Sequence, residues 1–231
     1  MFISQDQLWW LRKTTKKESN LSFLCSEWAL NQNLKNQLYN SKEASFKLPF
    51  FISYFITDTT LNNSLDTIFH SNKIDIVCLR DKLTPNIKEV SNIFIEQARE
   101  ANIPLILINS YIDIAIEQNY DGVHLTSTQF DLIKKAKLNN LFTIISCHNE
   151  SDIQKAYSLG ANGVTYSPIF YKKDKGKPKG IENLKKVVKK FQKDDFIIIA
   201  LGGIISDKEV KLIRSTDAKG FASIRYFDKI D

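Results

Sequence analysis

Phe196-Ile197-Ile198-Ile199-Ala200-Leu201 is the longest apolar run in the chain, and it stops on Gly202-Gly203. Six residues are too few to cross a bilayer, so the run reads as a β-strand. The two glycines let the backbone come close to a ligand, and Ser206 with Glu209 has the spacing of a capping box that starts a helix. Strand, glycine turn and helix form one repeating unit, and the same alternation extends back along the chain.

From Phe50 onward, short β-branched runs alternate with amphipathic segments. The strands predicted are Phe51–Ile56, Asp75–Leu79, Pro104–Ile108, Gly122–Leu125, Phe142–Ser146, Gly163–Tyr166, Phe196–Ala200 and Gly220–Ile224. Single helical segments between them require parallel pairing, because a crossover must return the chain. Thr84 before Pro85 predicts a further helix start, with a capping hydroxyl and a proline in the first turn. Eight such units predict an α/β fold, a (β/α)8 TIM barrel. Only Tyr226 to Asp231 follow the last strand, so the eighth helix is expected to be truncated.

A chain of 231 residues buries one substantial core, which favours a single domain with an extension. All eight glycines lie at or beyond Gly122, the first proline is Pro49, and the three tryptophans are Trp9, Trp10 and Trp28. This shift divides the chain into an N-terminal extension, 1–48, and the barrel, 49–231. Glu27 to Glu43 lacks both helix breakers and spaces Trp28, Leu30, Leu34 and Leu38 as a loose helical stripe. A partly helical extension docking on the barrel is therefore expected.

The N-terminus shows no secretory pattern, and cytoplasmic location without membrane contact is the expectation. Cys25, Cys78 and Cys147 are odd in number and lack any Cys-x-x-Cys spacing, which predicts reduced thiols and no zinc site. The net charge of +6 would suit nucleic acid, but basic residues cluster only at Lys172, Lys173, Lys175, Lys177 and Lys179. One short basic loop suits a small phosphorylated ligand better than a duplex, with a merely solvated loop as the alternative.

Active sites of such barrels sit at the C-terminal strand ends. That rule selects Arg80 and Lys82 after strand two, Asn109 after strand three, His124 on strand four, and Ser146 with His148 at strand five. It adds Lys175 in the lysine loop, Gly202-Gly203 after strand seven and Arg225 after strand eight. Gly202, Gly203 and the helix start near Ser206 predict a phosphate site that the Arg225 guanidinium complements. His148 is the candidate general acid/base; the plainer alternative makes it a cap for the helix after Asn149. Arg80 and Lys82 face the same way and suit an anionic group, unless Arg80 simply pairs with Asp58. His124 reads as a satisfied core histidine, and Cys147 should point away from His148.

Taken in order, several stretches resemble the thiamine phosphate synthase / TenI family. They are Ile56-Thr57-Asp58, Leu79-Arg80-Asp81-Lys82, Leu107-Ile108-Asn109, Asp121-Gly122-Val123-His124-Leu125, Ser146-Cys147-His148-Asn149, Ser167-Pro168-Ile169-Phe170 with Lys175, and Ala200-Leu201-Gly202-Gly203-Ile204. The resemblance runs from Tyr54 to Phe227. It implies a thiamine biosynthesis enzyme that binds a thiazole phosphate through His148, Lys175, Gly202, Gly203 and Arg225, with Arg80, Lys82, Asn109 and Ser146 completing the substrate site.

The family holds two activities. The synthase joins a pyrimidine methyl pyrophosphate to thiazole phosphate and holds Mg2+ on two aspartates. The TenI branch shifts a proton in a thiazole carboxylate phosphate without metal. The aspartate positions here are Ser110 and Gln129, Cys78 replaces a glutamine, and Lys172 and Asp174 replace two threonines. The resemblance therefore implies a metal-free tautomerase with His148 as base and no cofactor. The synthase, with Mg2+, is the first alternative and a non-catalytic thiazole phosphate binder the second; a homodimer is one expectation for the assembly.

Overall fold

The computed structural model describes residues 48–58, 64–71, 73–172 and 176–228. The expected helix from Glu27 to Glu43 lies outside them.

Eight strands follow in order: β1 (Ile52–Ile56), β2 (Ile76–Leu79), β3 (Leu105–Asn109), β4 (Gly122–Leu125), β5 (Phe142–Cys147), β6 (Gly163–Tyr166), β7 (Ile197–Leu201) and β8 (Gly220–Ser223). They close into a barrel in which every neighbouring pair is parallel and β8 returns to β1. Each strand boundary falls within one residue of the expectation. The described helices are α1 (Leu65–Ser71), α2 (Ile87–Glu100), α3 (Ile112–Glu117), α4 (Ile133–Leu138), α5 (Glu150–Ser158), α6 (Gly180–Phe191) and α7 (Asp207–Arg214). None of them is long and apolar enough to cross a membrane.

Strand alternation sorts the residues into two buried layers. Phe55, Val77, Leu79, Ile106, Ile108, Val123, Leu125, Ile145, Cys147, Val164, Ile198 and Phe221 face outward and join the helices in one apolar cluster. Tyr54, Cys78, Leu107, His124, Ile144, Thr165 and Ile199 are equally buried but belong to the barrel interior. The helices supply matching stripes. On α6, Leu184, Val187, Val188 and Phe191 are buried at i, i+3, i+4 and i+7. Each such side chain is worth roughly 1.5–3 kcal/mol of burial, so a charge at Val187 would detach the helix.

The scarcity of glycine before Gly122 has a structural counterpart. Asn102 and Asn119, and beyond Gly122 also Asn140, stand at positive φ, 55°, 59° and 56°, just past the ends of α2, α3 and α4. Asparagine tolerates the left-handed conformation that stops a helix, so these residues do the work usually given to glycine.

Two helix starts were expected from sequence, and they fare differently. At α7, Ser206 N–H and Oγ both donate to Glu209 Oε2, at 2.8 and 2.7 Å, as the spacing implied. Burial raises the Glu209 carboxyl, but these bonds outweigh it and the net shift is downward. At α2 the expectation fails. Asp81 captures the Thr84 hydroxyl at 2.6 Å and the Leu83 and Thr84 N–H groups at 2.8 and 3.0 Å, and the helix starts later, at Ile87.

Among the described residues no helix follows β8. Aromatic side chains fill that space: Phe227 is 1% exposed and packs on Phe221 at 5.8 Å and Phe55 at 5.2 Å, while Arg214 lies 3.8 Å over the Phe51 ring. Such ring pairs contribute about 0.5–1.5 kcal/mol each beyond their area.

Candidate functional site

The mouth over β1–β4 is closed on itself. Arg80 Nη1 pairs with Asp58 Oδ2 at 3.0 Å, with the two side chains 26% and 22% exposed. Thr57 Oγ1 accepts from the Arg80 N–H at 2.9 Å. The Asp58 pairing raised for Arg80 from sequence is therefore formed. Lys82 is exposed, and Asp81 is buried in its turn. Asn109 Nδ2 donates to the His124 carbonyl at 2.7 Å, and the Ser110 N–H donates to the same oxygen at 3.1 Å.

Whether this half fits a magnesium ion depends on its oxygens. A hard divalent cation bound with a polyphosphate usually takes one or two carboxylates. Ser110 and Gln129 occupy the two aspartate positions, and Gln129 Oε1 already accepts from the Thr126 N–H and hydroxyl at 3.0 and 3.1 Å. Asp58 is engaged by Arg80, and the described residues contain no group of three His, Cys, Asp or Glu suited to a metal. Among the described residues of this half, no pair of open carboxylates is present to hold Mg2+.

The mouth over β5–β8 is built differently. Gly202 and Gly203 have φ of +99° and +73°. A Cβ on Gly203 would lie 2.6 Å from the Tyr171 carbonyl oxygen, and one on Gly202 would lie 2.9 Å from Pro168 Cα. Glycine is required at both by conformation and by space. The close approach lets Ile169 and Phe170 donate to the Leu201 and Gly202 carbonyls, both at 3.0 Å, joining the β6 and β7 loops. The N–H groups of Gly203, Ile224 and Arg225 make no backbone hydrogen bond with a described residue. Gly203 precedes the α7 N-terminus, where the Glu209 carboxylate accepts from the Ser206 N–H at 2.8 Å, and the Arg225 side chain is exposed. Lys175 lies outside the described residues.

His148 is exposed, and its Nδ1 lies 3.2 Å from the Ser167 carbonyl oxygen. A carbonyl only accepts, so this bond puts the proton of a neutral imidazole on Nδ1 and leaves the Nε2 lone pair available. The helix-cap alternative does not hold, because Asn149 Oδ1 accepts from Asp152 N at 2.8 Å and fills that role. Cys147 is buried on the outer face, as alternation predicts.

Beneath both halves lies His124, 3% exposed, with Tyr54 Oη 2.8 Å from Nδ1 and Ser146 Oγ 3.0 Å from Nε2. Burial, helped by the nearby Arg80 charge, pushes its pKa down to about 4. It is the satisfied interior histidine expected. Tyr54 and Thr165 were not singled out as site residues from sequence; only their inward parity on β1 and β6 signalled them.

A closed eight-stranded parallel barrel with alternating helices defines a (β/α)8 scaffold. Residues 53–227 match the profile of the TMP-TENI family, described as thiamine monophosphate synthase. The chain belongs to that family. It is 38% identical over 108 residues to a thiamine-phosphate synthase of Prochlorococcus marinus (strain AS9601), covering 45% of this chain but 30% of that protein. With the thiamine-phosphate synthase of Proteus mirabilis (strain HI4320) it shares 30% identity over 156 residues, 65% of this chain and 71% of the relative. Among solved structures, thiamine phosphate pyrophosphorylase from Pyrococcus furiosus superposes with a TM-score of 0.68 at 22% identity, over 79% of this chain and 90% of that one. At that identity the likeness speaks to the fold.

Proposed function

We propose that the chain is an enzyme of thiamine assembly that acts on a thiazole monophosphate. The observation that carries this reading is the Gly202-Gly203 turn, which we take as the phosphate cradle: positive φ and tight packing require glycine at both positions, and the Gly203 N–H has no backbone partner among the described residues. Arg225 adds a bidentate cation, and His148 Nε2 stands ready for proton chemistry.

The sequence reading ranked tautomerisation above synthesis, whereas the relatives carry the synthase name, which favours the reverse order. The transferase is accordingly our first reading: thiazole phosphate held by the cradle is joined to a pyrimidine methyl pyrophosphate, and diphosphate departs past Arg80 and Lys82. Thiamine phosphate formation from the two substrates, followed with added Mg2+ and again in EDTA, tests it. No product under either condition would sink it.

One observation favours the second reading, metal-free tautomerisation: Gln129 stands where a carboxylate would be needed and spends its oxygen on Thr126. In that reaction His148 Nε2 takes the acidic C2 proton of the ylidene-thiazoline carboxylate phosphate and a proton returns to the exocyclic carbon. Conversion in EDTA, read by NMR, supports it. Tight binding without turnover in both assays leaves the chain a thiazole phosphate binder. Cytoplasmic location, an extension over 1–48 and a homodimer belong to the same proposal.

A further inference from the structure

The closed end of the barrel, opposite the mouth, repeats one arrangement. Between β1 and β2, the Asp75 N–H donates to the Ser53 carbonyl at 2.9 Å, and Asp75 Oδ2 accepts from the Ser53 N–H at 2.8 Å. Between β3 and β4, the Asp121 N–H donates to the Ile106 carbonyl at 3.0 Å, and Asp121 Oδ2 accepts from the Ile106 N–H at 2.8 Å. Asn162 and Thr143 do the same between β5 and β6, at 2.9 and 3.0 Å, through Asn162 Oδ1. Each oxygen belongs to the residue just before an even-numbered strand and reaches back to the strand preceding it.

The fourth pair keeps only the backbone half of this pattern, since the Lys219 N–H donates to the Ile198 carbonyl at 3.0 Å. A lysine side chain has no acceptor. Gln192, the C-cap of α6, supplies the oxygen instead: Oε1 accepts from the Ile198 N–H at 3.3 Å and the Lys219 N–H at 3.0 Å, while Nε2 donates to the Asp217 carbonyl at 2.8 Å. The flanking chain repeats as well. Asn119, Gly160 and Asp217, each two residues before the shared position, have φ of 59°, 84° and 60°. Gly122, Gly163 and Gly220 follow it, and a Cβ on any of them would run into the backbone of Phe142, Ile197 or Ile52, the first residue of the next odd strand. The first pair departs here, with Ile76 in place of the glycine.

Ile106, Thr143 and Ile198 are buried, so their N–H groups would be left unsatisfied without these oxygens. Sliding one strand by a residue would carry the oxygen out of reach and turn that strand's side chains to the other face. The bonds therefore select the observed register, in which Leu107 faces Gly122, Ile144 faces Gly163 and Ile199 faces Gly220. That register in turn decides which residues of each strand arrive at the mouth.

We propose that the barrel is a fourfold repeat of a two-strand unit, each unit held in register by one side-chain oxygen at its closed end, and that Gln192 is the substitute lock of the fourth unit. The inference is independent of what the mouth binds.

Amide hydrogen exchange of the full chain, followed by NMR, tests it. Asp121→Ala, Asn162→Ala and Gln192→Ala are each expected to speed exchange at the partner amide, Ile106, Thr143 or Ile198 respectively, by about tenfold to a hundredfold, as one buried N–H loses its acceptor. The other two amides should stay within about twofold; a uniform rise at all three would overturn the separate units. Lys219→Asn places at the fourth position the residue that the third unit carries. In the double variant Gln192→Ala/Lys219→Asn, Ile198 protection is expected to return to within about threefold of the wild type, and continued fast exchange would overturn the equivalence of the four positions. Should Gln192→Ala fail to fold, Gln192→Glu decides, because it keeps the oxygen and gives up only the bond to the Asp217 carbonyl. Ile198 should then remain protected, and its loss of protection would show that the Asp217 bond, and not the shared oxygen, holds this pair.

Discussion

The two halves of the barrel mouth handle their polar groups in opposite ways. Over β1–β4 they satisfy one another: Arg80 with Asp58, Gln129 with Thr126, Asn109 and Ser110 with the His124 carbonyl, Asp81 with Thr84. Over β5–β8 the Gly203, Ile224 and Arg225 N–H groups and the His148 Nε2 remain unspent among the described residues. Unmade hydrogen bonds at a concave protein surface are costly unless water or a ligand completes them. In the function proposed above, the second half is the one that grips the ligand.

The sharpest way to break this comparison is His148→Ala. Loss of a general base should lower kcat of the proton shift by about 10²–10⁴-fold. An unchanged rate in the EDTA assay would remove His148 as base and the tautomerase reading with it. Gly203→Ala comes next, because its Cβ would meet the Tyr171 carbonyl and the Phe170 backbone at positive φ. The expected cost is about 3 kcal/mol of stability together with loss of thiazole monophosphate binding, read by urea unfolding and calorimetry.

A pH effect of similar size belongs to the interior beneath both halves. The folded pKa of His124 lies at about 4, below the ordinary 6.5, so the unfolded chain binds this proton first as pH falls. The stabilising contribution is complete above pH 6.5 and is lost between 6.5 and 4, amounting to about 3 kcal/mol. Urea midpoints at pH 7.5 and 4.5, compared with His124→Gln, should show a smaller drop in the variant. Arg225→Ala should weaken thiazole monophosphate by about tenfold, as expected for one charged hydrogen-bonding partner. Asp58→Asn should change that affinity by less than about twofold, since the closed half does not grip the phosphate and its partly exposed ion pair is worth only about 0–1 kcal/mol. A large Asp58 effect would erase the distinction between the halves.

Much of this architecture was legible beforehand. Period-two runs bounded by turn residues set every strand within one residue, and parity correctly turned Cys147 outward and His124 inward. The helix start at Thr84 was misread because Asp81, three residues upstream, competes for the same hydroxyl. The Arg80 pair was legible only as one of two alternatives, since its partner lies 22 residues away, beyond the end of another strand. Tyr54 and Thr165 escaped notice for the same reason: a tyrosine or threonine in a strand is ordinary until its cross-barrel neighbour is known.

Hydrophobic periodicity and turn chemistry are properties of neighbours along the chain, so the amino-acid order by itself determined the strand count, the parallel closure and the strand ends where chemistry gathers. Closure then brought Tyr54 to His124 across 70 positions and stacked the β6 loop on Gly202-Gly203. Which polar groups are spent and which stay available depends on those distant pairings. Only the tertiary structure decided that, because a hydrogen bond forms between atoms close in space regardless of their separation in sequence.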